Sequence, residues 1–250
     1  MVDHSMMKLG RKAVKTDSRT LCLARYMTPA LPAPPPAVDW TKGKTSFGMM
    51  LNNALGDCTI AGVAHAIQIL TLNAAAEVTP PDDVVQSYYE QWDGYNPADP
   101  ETDKGGVELD VLNKWRTQGF AGHELLAFAD PNVANGEEIR QSIALFGGVY
   151  IGLSLPMSAQ TQDVWDVAPD PGDGSTQAGS WGGHCVFVAG YDQKGFTCIT
   201  WGELKKITTA FWQKYCDEAH ALLSPDWLTA NGAPSGFNLQ QLQADLAAIE

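Results

Sequence analysis

The stretch Gly56-Asp57-Cys58-Thr59-Ile60-Ala61-Gly62-Val63-Ala64-His65, continuing to Ala76, decides how this chain is read. From Cys58 to about Ala76 the apolar positions Ile60, Ala61, Val63, Ala64, Ile67, Ile69, Leu70 and Ala74 cover most of a helical surface, which predicts a central helix buried on nearly all sides. Cys58 opens that helix. A thiol at a helix N-terminus faces unpaired amide N–H groups and the positive end of the dipole, and both favour thiolate. The placement points to a nucleophile, which needs a base and an oxyanion donor before it can act on a carbonyl.

The best base is His184, which opens a strand directly after Trp181-Gly182-Gly183, where two glycines let a backbone or a substrate approach closely. His65 lies on nearly the same helix face as Cys58, but two turns put it about 10 Å along the axis, beyond hydrogen-bond reach. His4, His123 and His220 stand in surface-like sequence and are expected to be solvated.

Working outward, Asp82 to Trp92, Glu108 to Gln118 and Gly136 to Leu145 read as further helices, so the first half is mainly α. Then the period changes. VYIGLSL (149–155), HCVFVAGYD (184–192) and GFTCITWG (195–202) read as strands, the last two forming a hairpin across Gln193-Lys194-Gly195. The loop between the first two is rich in Gly, Pro, Asp and Ser, as segments that line a site often are. Thr208 to Leu223 and Asn238 to Ile249 are expected to close the chain as helices. The fold class is therefore α+β, with residues 1–37 an N-terminal extension ending in the proline-rich LPAPPPA (31–37) and 38–250 the folded domain.

Composition narrows the function. With 250 residues, 44% hydrophobic and 18% charged, the chain is long enough to build a large core without staples. Sixteen Lys+Arg against 29 Asp+Glu give a formal charge of -13, which argues against nucleic acid and anionic membrane as partners. The longest apolar runs, such as ALFGGVYIGLSL (144–155), fall short of a membrane span, and MVDHSMMKLGRKAVKTDSR lacks a signal-peptide core, so a cytoplasmic location is expected. Five scattered cysteines without metal-binding spacing argue against a disulfide framework or a zinc site; no metal and no cofactor are expected.

In order, VDW (38–40), Asn52, GDCTIAG (56–62), KGG (104–106), GGHCVFVAGYD (182–192) and ITWG (199–202) resemble the mature domain of papain-like cysteine peptidases. The resemblance implies a two-lobe fold, a helical lobe with the Cys-bearing helix packed on an antiparallel β lobe. Cys58 resembles the nucleophile, His184 its general base, and Asn52 stands where the oxyanion glutamine would be. Gly105 and Gly106 resemble the cleft glycines that pair with substrate backbone, with Gly183 beside them, and Trp201 resembles the tryptophan that shields the histidine's partner.

Departures accompany these matches. Ile199 stands where the family's orienting asparagine would be, and isoleucine accepts no hydrogen bond; Thr200 offers a hydroxyl, but by alternation it faces the other side, so a bulge or register slip is expected to be needed. The family's disulfide cysteines are missing, and 37 residues are too few for its inhibitory prodomain. LNNALGDCTIAG also resembles the double-glycine leader peptidases, but no suitable aspartate follows the histidine strand, and the VDW start favours the papain-like side. The implied function is a cysteine hydrolase acting on a peptide or other amide-containing substrate through an acyl-thioester. An amidase or transamidase on the same scaffold, and a catalytically impaired papain-fold binding protein, are the alternatives.

Overall fold

In the computed structural model, which describes residues 3–28, 31–74, 76–231 and 237–249, Cys58 does open a helix, α1 (Cys58–Leu72). Every side chain of α1 from Cys58 to Thr71 is buried, as its unbroken apolar surface requires. It ends short of Ala76 because Asn73 turns back: its side-chain amide donates to the Ile69 carbonyl (2.9 Å) and to that of Trp40 (2.7 Å).

Around α1 the chain builds β1 (Val38–Asp39), α2 (Asp82–Asp93), α3 (Glu108–Gln118), β2 (Ala127–Ala129), α4 (Gly136–Phe146), β3 (Val149–Leu155), β4 (Val164–Trp165), β5 (Gly182–Tyr191), β6 (Gly195–Thr200), β7 (Glu203–Thr208), α5 (Thr209–Tyr215), β8 (Cys216–Leu223), α6 (Pro225–Asn231) and α7 (Leu239–Ile249). The strands form one sheet in the order β2-β8-β3-β5-β6-β7-β4, with β1 paired to β5; all pairings are antiparallel except β4 with β7. This is the α+β architecture expected.

The central strand β5 is buried on both faces. Cys185, Phe187 and Ala189 pack with α1, α2 and α3 in one core, while Val186 and Val188 join Phe211, Trp212 and Tyr215 of α5 in another. Residues 184 and 185 therefore look to opposite sides of the sheet.

The stretch 208–223 corrects the sequence reading. It is not one helix: α5 lasts only from Thr209 to Tyr215, and Cys216–Leu223 is strand β8, inserted between β2 and β3. Ala219, Ala221, Leu222 and Leu223 carry no strong strand preference, so partners on both edges decide the conformation. ITWG also splits, because Trp201 (φ 48°) and Gly202 (φ 76°) make the tight turn from β6 into β7. No described helix is long and apolar enough to cross a membrane.

Candidate active site

Three parts of the fold converge at the start of α1. Asp57 makes no side-chain capping bond to the first turn of the helix. Beside it the Cys58 Sγ accepts the backbone N–H of Cys185 (3.4 Å), so the thiol lies against the peptide that joins His184 to Cys185. Burial pushes the thiol up to about 12, against the N–H groups of Cys185 and Gly10 that pull it down. Cys58 is thus a neutral thiol at rest.

His184 is fully buried, with its ring stacked on Trp201 at 4.7 Å and 17°. Its Nε2 lies 2.8 Å from Thr200 Oγ1, while its Nδ1 has no hydrogen-bond partner. Burial lowers its pKa to about 3, so the imidazole is neutral as well. Among the described residues the Cys58 thiol makes no hydrogen bond to the His184 ring; the two meet through the intervening backbone.

Thr200 reaches the histidine without the bulge that was expected. Ile199 points into the α1 core, so Thr200 points to the opposite side of the sheet, which is the side His184 itself occupies. The one register shift between β5 and β6 lies between Val188 and Gly190, well away from the site. Asn52 is directed elsewhere: its amide donates to the Asp57 carboxylate (3.1 Å) and the Leu55 carbonyl (3.4 Å), bracing the turn that leads into Cys58. His65 is buried and faces the Gly48 carbonyl at 3.1 Å, outside the site.

The groove beside Cys58 is filled by the chain's own N-terminal segment. Gly106 N–H donates to the Gly10 carbonyl (2.9 Å), Arg11 N–H to that of Gly183 (3.0 Å) and Lys12 N–H to that of Gly106 (2.8 Å), with Arg11 paired to Gly106 in parallel register. The approach is close enough to require glycine on both sides. A Cβ on Gly105 would lie 1.7 Å from the Gly10 carbonyl oxygen, one on Gly183 2.3 Å from that of Arg11, and one on Gly10 1.6 Å from that of Gly56. Upstream, His4 stacks on Trp201 at 4.9 Å and its N–H bonds the Gln160 carbonyl at 2.9 Å. Residues 4–12 thus form a strap from Trp201 to Gly106. The segment lying against Gly105, Gly106 and Gly183 belongs to this chain.

Arg11 turns inward from the strap into an acidic pocket, and its side chain is 2% exposed. Nη2 contacts both Asp217 oxygens (2.6 and 2.8 Å) and Nη1 contacts Glu218 (3.1 Å), while Nε lies 3.8 Å from Glu108. Behind it, His220 contacts Asp130 (2.6 Å) and Glu218 (3.2 Å). The histidines correct the sequence reading: His4 and His220 are buried, and His123 is largely enclosed and paired with Asp226 at 2.7 Å. Nothing in the local sequence signalled the Arg11 cluster, whose members come from the strap, α3 and β8.

This cluster has a pH signature. Burial pulls His220 down, but bonds to Asp130 and Glu218 outweigh it and hold the pKa at about 10 against an ordinary 6.5. Burial and the neighbouring Glu218 charge raise Glu108 to about 8 from 4.5. Both groups bind protons more tightly in the folded chain, so the stability they contribute is complete below their unfolded values and is lost as pH rises through the folded ones. Thermal unfolding followed by circular dichroism is expected to show a melting temperature that falls between pH 6.5 and 10, and His220→Gln should flatten that slope.

No sequence-family model matches the chain, and no curated protein matches it in sequence. Solved structures do match. Xylellain, a cysteine protease from Xylella fastidiosa, superposes with a TM-score of 0.65 at 15% identity, over 89% of this chain and 98% of xylellain. Procathepsin B from Trypanosoma congolense gives 0.62 at 11% identity, over 88% of each chain. A cysteine protease of Carica candamarcensis, solved in complex with E-64, gives 0.53 at 14% identity, over 75% of this chain and 98% of its own. At these identities the likeness is one of fold, and the chain has the papain-like cysteine protease fold.

Proposed function

We propose that the protein is a latent cysteine hydrolase that cleaves a peptide or related amide bond through an acyl-thioester on Cys58. The carrying observation is the thiol at the uncapped start of α1, against the His184–Cys185 peptide, with an extended peptide segment already seated on Gly105, Gly106 and Gly183 beside it. A substrate in the strap's place presents its carbonyl carbon to Sγ. The thiol proton passes to His184, the C–S bond forms, and the amine leaves with the proton His184 returns to it. Water then attacks the thioester with His184 again as base, releasing the acid and restoring the thiol. Helix N–H groups at the start of α1 are placed to stabilise the oxyanion.

The neutral pair at rest accords with latency. Both pKa values are displaced by burial, and the strap supplies part of that cover. Once water replaces the strap, the helix dipole and amides favour thiolate, and imidazolium forms opposite it.

The test is labelling of the full chain with an epoxide of the E-64 type, the compound bound in the Carica neighbour, followed by peptide mapping. Slow, single-site modification at Cys58 that accelerates when the strap is released supports the reading; a Cys58 that stays inert after release overturns it. Thr200 is a positioning residue in this scheme, because its hydroxyl holds His184 Nε2. Thr200→Val should lower kcat about tenfold with KM little changed, the value of about 1.4 kcal/mol of lost orientation, and Thr200→Ser should restore it.

A further inference from the structure

The geometry points to a divalent-cation site of the zinc type behind the Arg11 cluster, with Glu108, Glu218 and His220 as its three protein ligands. The site stands apart from the hydrolase reading, and it departs from the expectation of no metal drawn from cysteine and histidine spacing.

Each glutamate has two oxygens, and the fold uses them differently. Glu218 Oε2 takes Arg11 Nη1 (3.1 Å), and Glu108 Oε1 faces Arg11 Nε (3.8 Å). The other two oxygens turn to His220, whose Nε2 lies 3.2 Å from Glu218 Oε1 and 3.8 Å from Glu108 Oε2. One ligand atom from each residue lies within 4.8 Å of the other two. Donors around a zinc ion at bonds of about 2 Å stand roughly 3.3 Å apart, so small side-chain adjustments enclose an ion while Arg11 keeps its place. Such an ion ties α3, which carries Glu108, to β8, which carries Glu218 and His220.

The histidine is oriented for this role. Its opposite ring atom, Nδ1, meets Asp130 Oδ1 at 2.6 Å. A carboxylate on Nδ1–H leaves the Nε2 lone pair for a metal and fixes the ring in the plane the metal needs. One imidazole with two carboxylates and no thiolate suits zinc, and water completes the fourth position. The ion replaces the proton that His220 Nε2 otherwise shares with Glu218, and that proton goes to solvent.

Glu108 points to a cation independently. It is 1% exposed, yet among the described residues neither of its oxygens receives a hydrogen bond from an N–H or O–H group. A buried carboxylate in that state is costly, and Asp130, Asp217 and Glu218 crowd the same neighbourhood. Access exists as well. A cavity of about 430 Å³ has Asp130, Glu218 and His220 in its wall, so an ion need not displace the strap to enter.

The experiment uses the full chain carrying Cys58→Ser, stripped of metal with a chelator, so that the thiol at the start of α1 does not compete. Calorimetric titration with zinc chloride is expected to show one site per chain. Glu108→Gln and Glu218→Gln should each weaken it at least about tenfold, and Asp130→Ala, which removes the hydrogen bond behind His220, by about tenfold. Asp217→Asn loosens Arg11 without touching a ligand and should cost far less than either glutamine. No zinc binding, equal affinity in the glutamine variants, or an equal loss in Asp217→Asn overturns the inference. Zinc-edge X-ray absorption on the loaded chain needs none of these variants and decides the matter should they not fold. A shell of nitrogen and oxygen at about 2.0–2.1 Å with imidazole scattering supports the site, whereas sulfur in the shell puts the ion on the remaining cysteines and overturns it.

Discussion

Gly10→Ala is expected to raise the rate at which Cys58 is alkylated at neutral pH by about 100-fold. The added methyl would stand 1.6 Å from the Gly56 carbonyl oxygen, a backbone atom that cannot swing aside. To relieve the clash the strap must move, and with it go the bonds of Gly106 to Gly10, Arg11 to Gly183 and Lys12 to Gly106. At about 1 kcal/mol net for each, their loss shifts the closed-to-open balance by about 3 kcal/mol, which is roughly 100-fold. The opening also exposes a thiol whose pKa burial had pushed to about 12, so a larger share becomes thiolate. Iodoacetamide kinetics with intact-mass readout, wild type against variant, measure this. Identical rates in two well-folded chains would remove the strap from the regulation of the site. Lys15→Ala is the control, because that side chain pairs with Asp110 on the exposed surface beyond the strap.

His184→Ala, placed in the Gly10→Ala chain, is expected to cost at least about 1,000-fold in hydrolysis, because one group both accepts the thiol proton and returns it to the leaving amine. Alkylation separates the two roles. With the imidazole present, the pH midpoint of Cys58 reactivity should lie well below the ordinary value of about 8.5; without it the midpoint should move back towards that value. The sign follows from charge: an imidazolium beside the sulfur favours thiolate, so its removal raises the thiol pKa. A midpoint indifferent to His184 would mean that the open cleft binds peptides without acting on them. The same profile in the strapped chain should be shifted upward as a whole, since burial there holds the thiol near 12 and the imidazole near 3.

A short segment is enough to cover the groove. What matters is that glycine at 10, 105 and 183 lets two backbones come together, and that Arg11 supplies an anchor at one end while His4 stacks on Trp201 at the other. Residues 4–12, with a turn at Ser5-Met6 and a single bridge from Arg11 to Gly106, suffice to lie along the groove.

What the sequence determined by itself is local. The apolar surface of 58–72, the helices α2 to α4, the strands β3, β5 and β6, and the placing of Cys58 at a helix start and of His184 in a strand after Gly182-Gly183 all follow from periodicity and punctuation, which neighbouring residues encode. Tertiary structure decided the rest. Residues 216–223 became a strand only because β2 and β3 flank them; Thr200 faces His184 because both lie on the sheet side away from α1; and Arg11 meets Glu108, Asp217 and Glu218 across up to 207 positions of chain. His4 and His220 sit in polar sequence yet are buried, because the groups that cover and neutralise them come from distant segments. Such pairings carry no local period, and their free energy is realised only when the chain has folded and brought the partners out of water together.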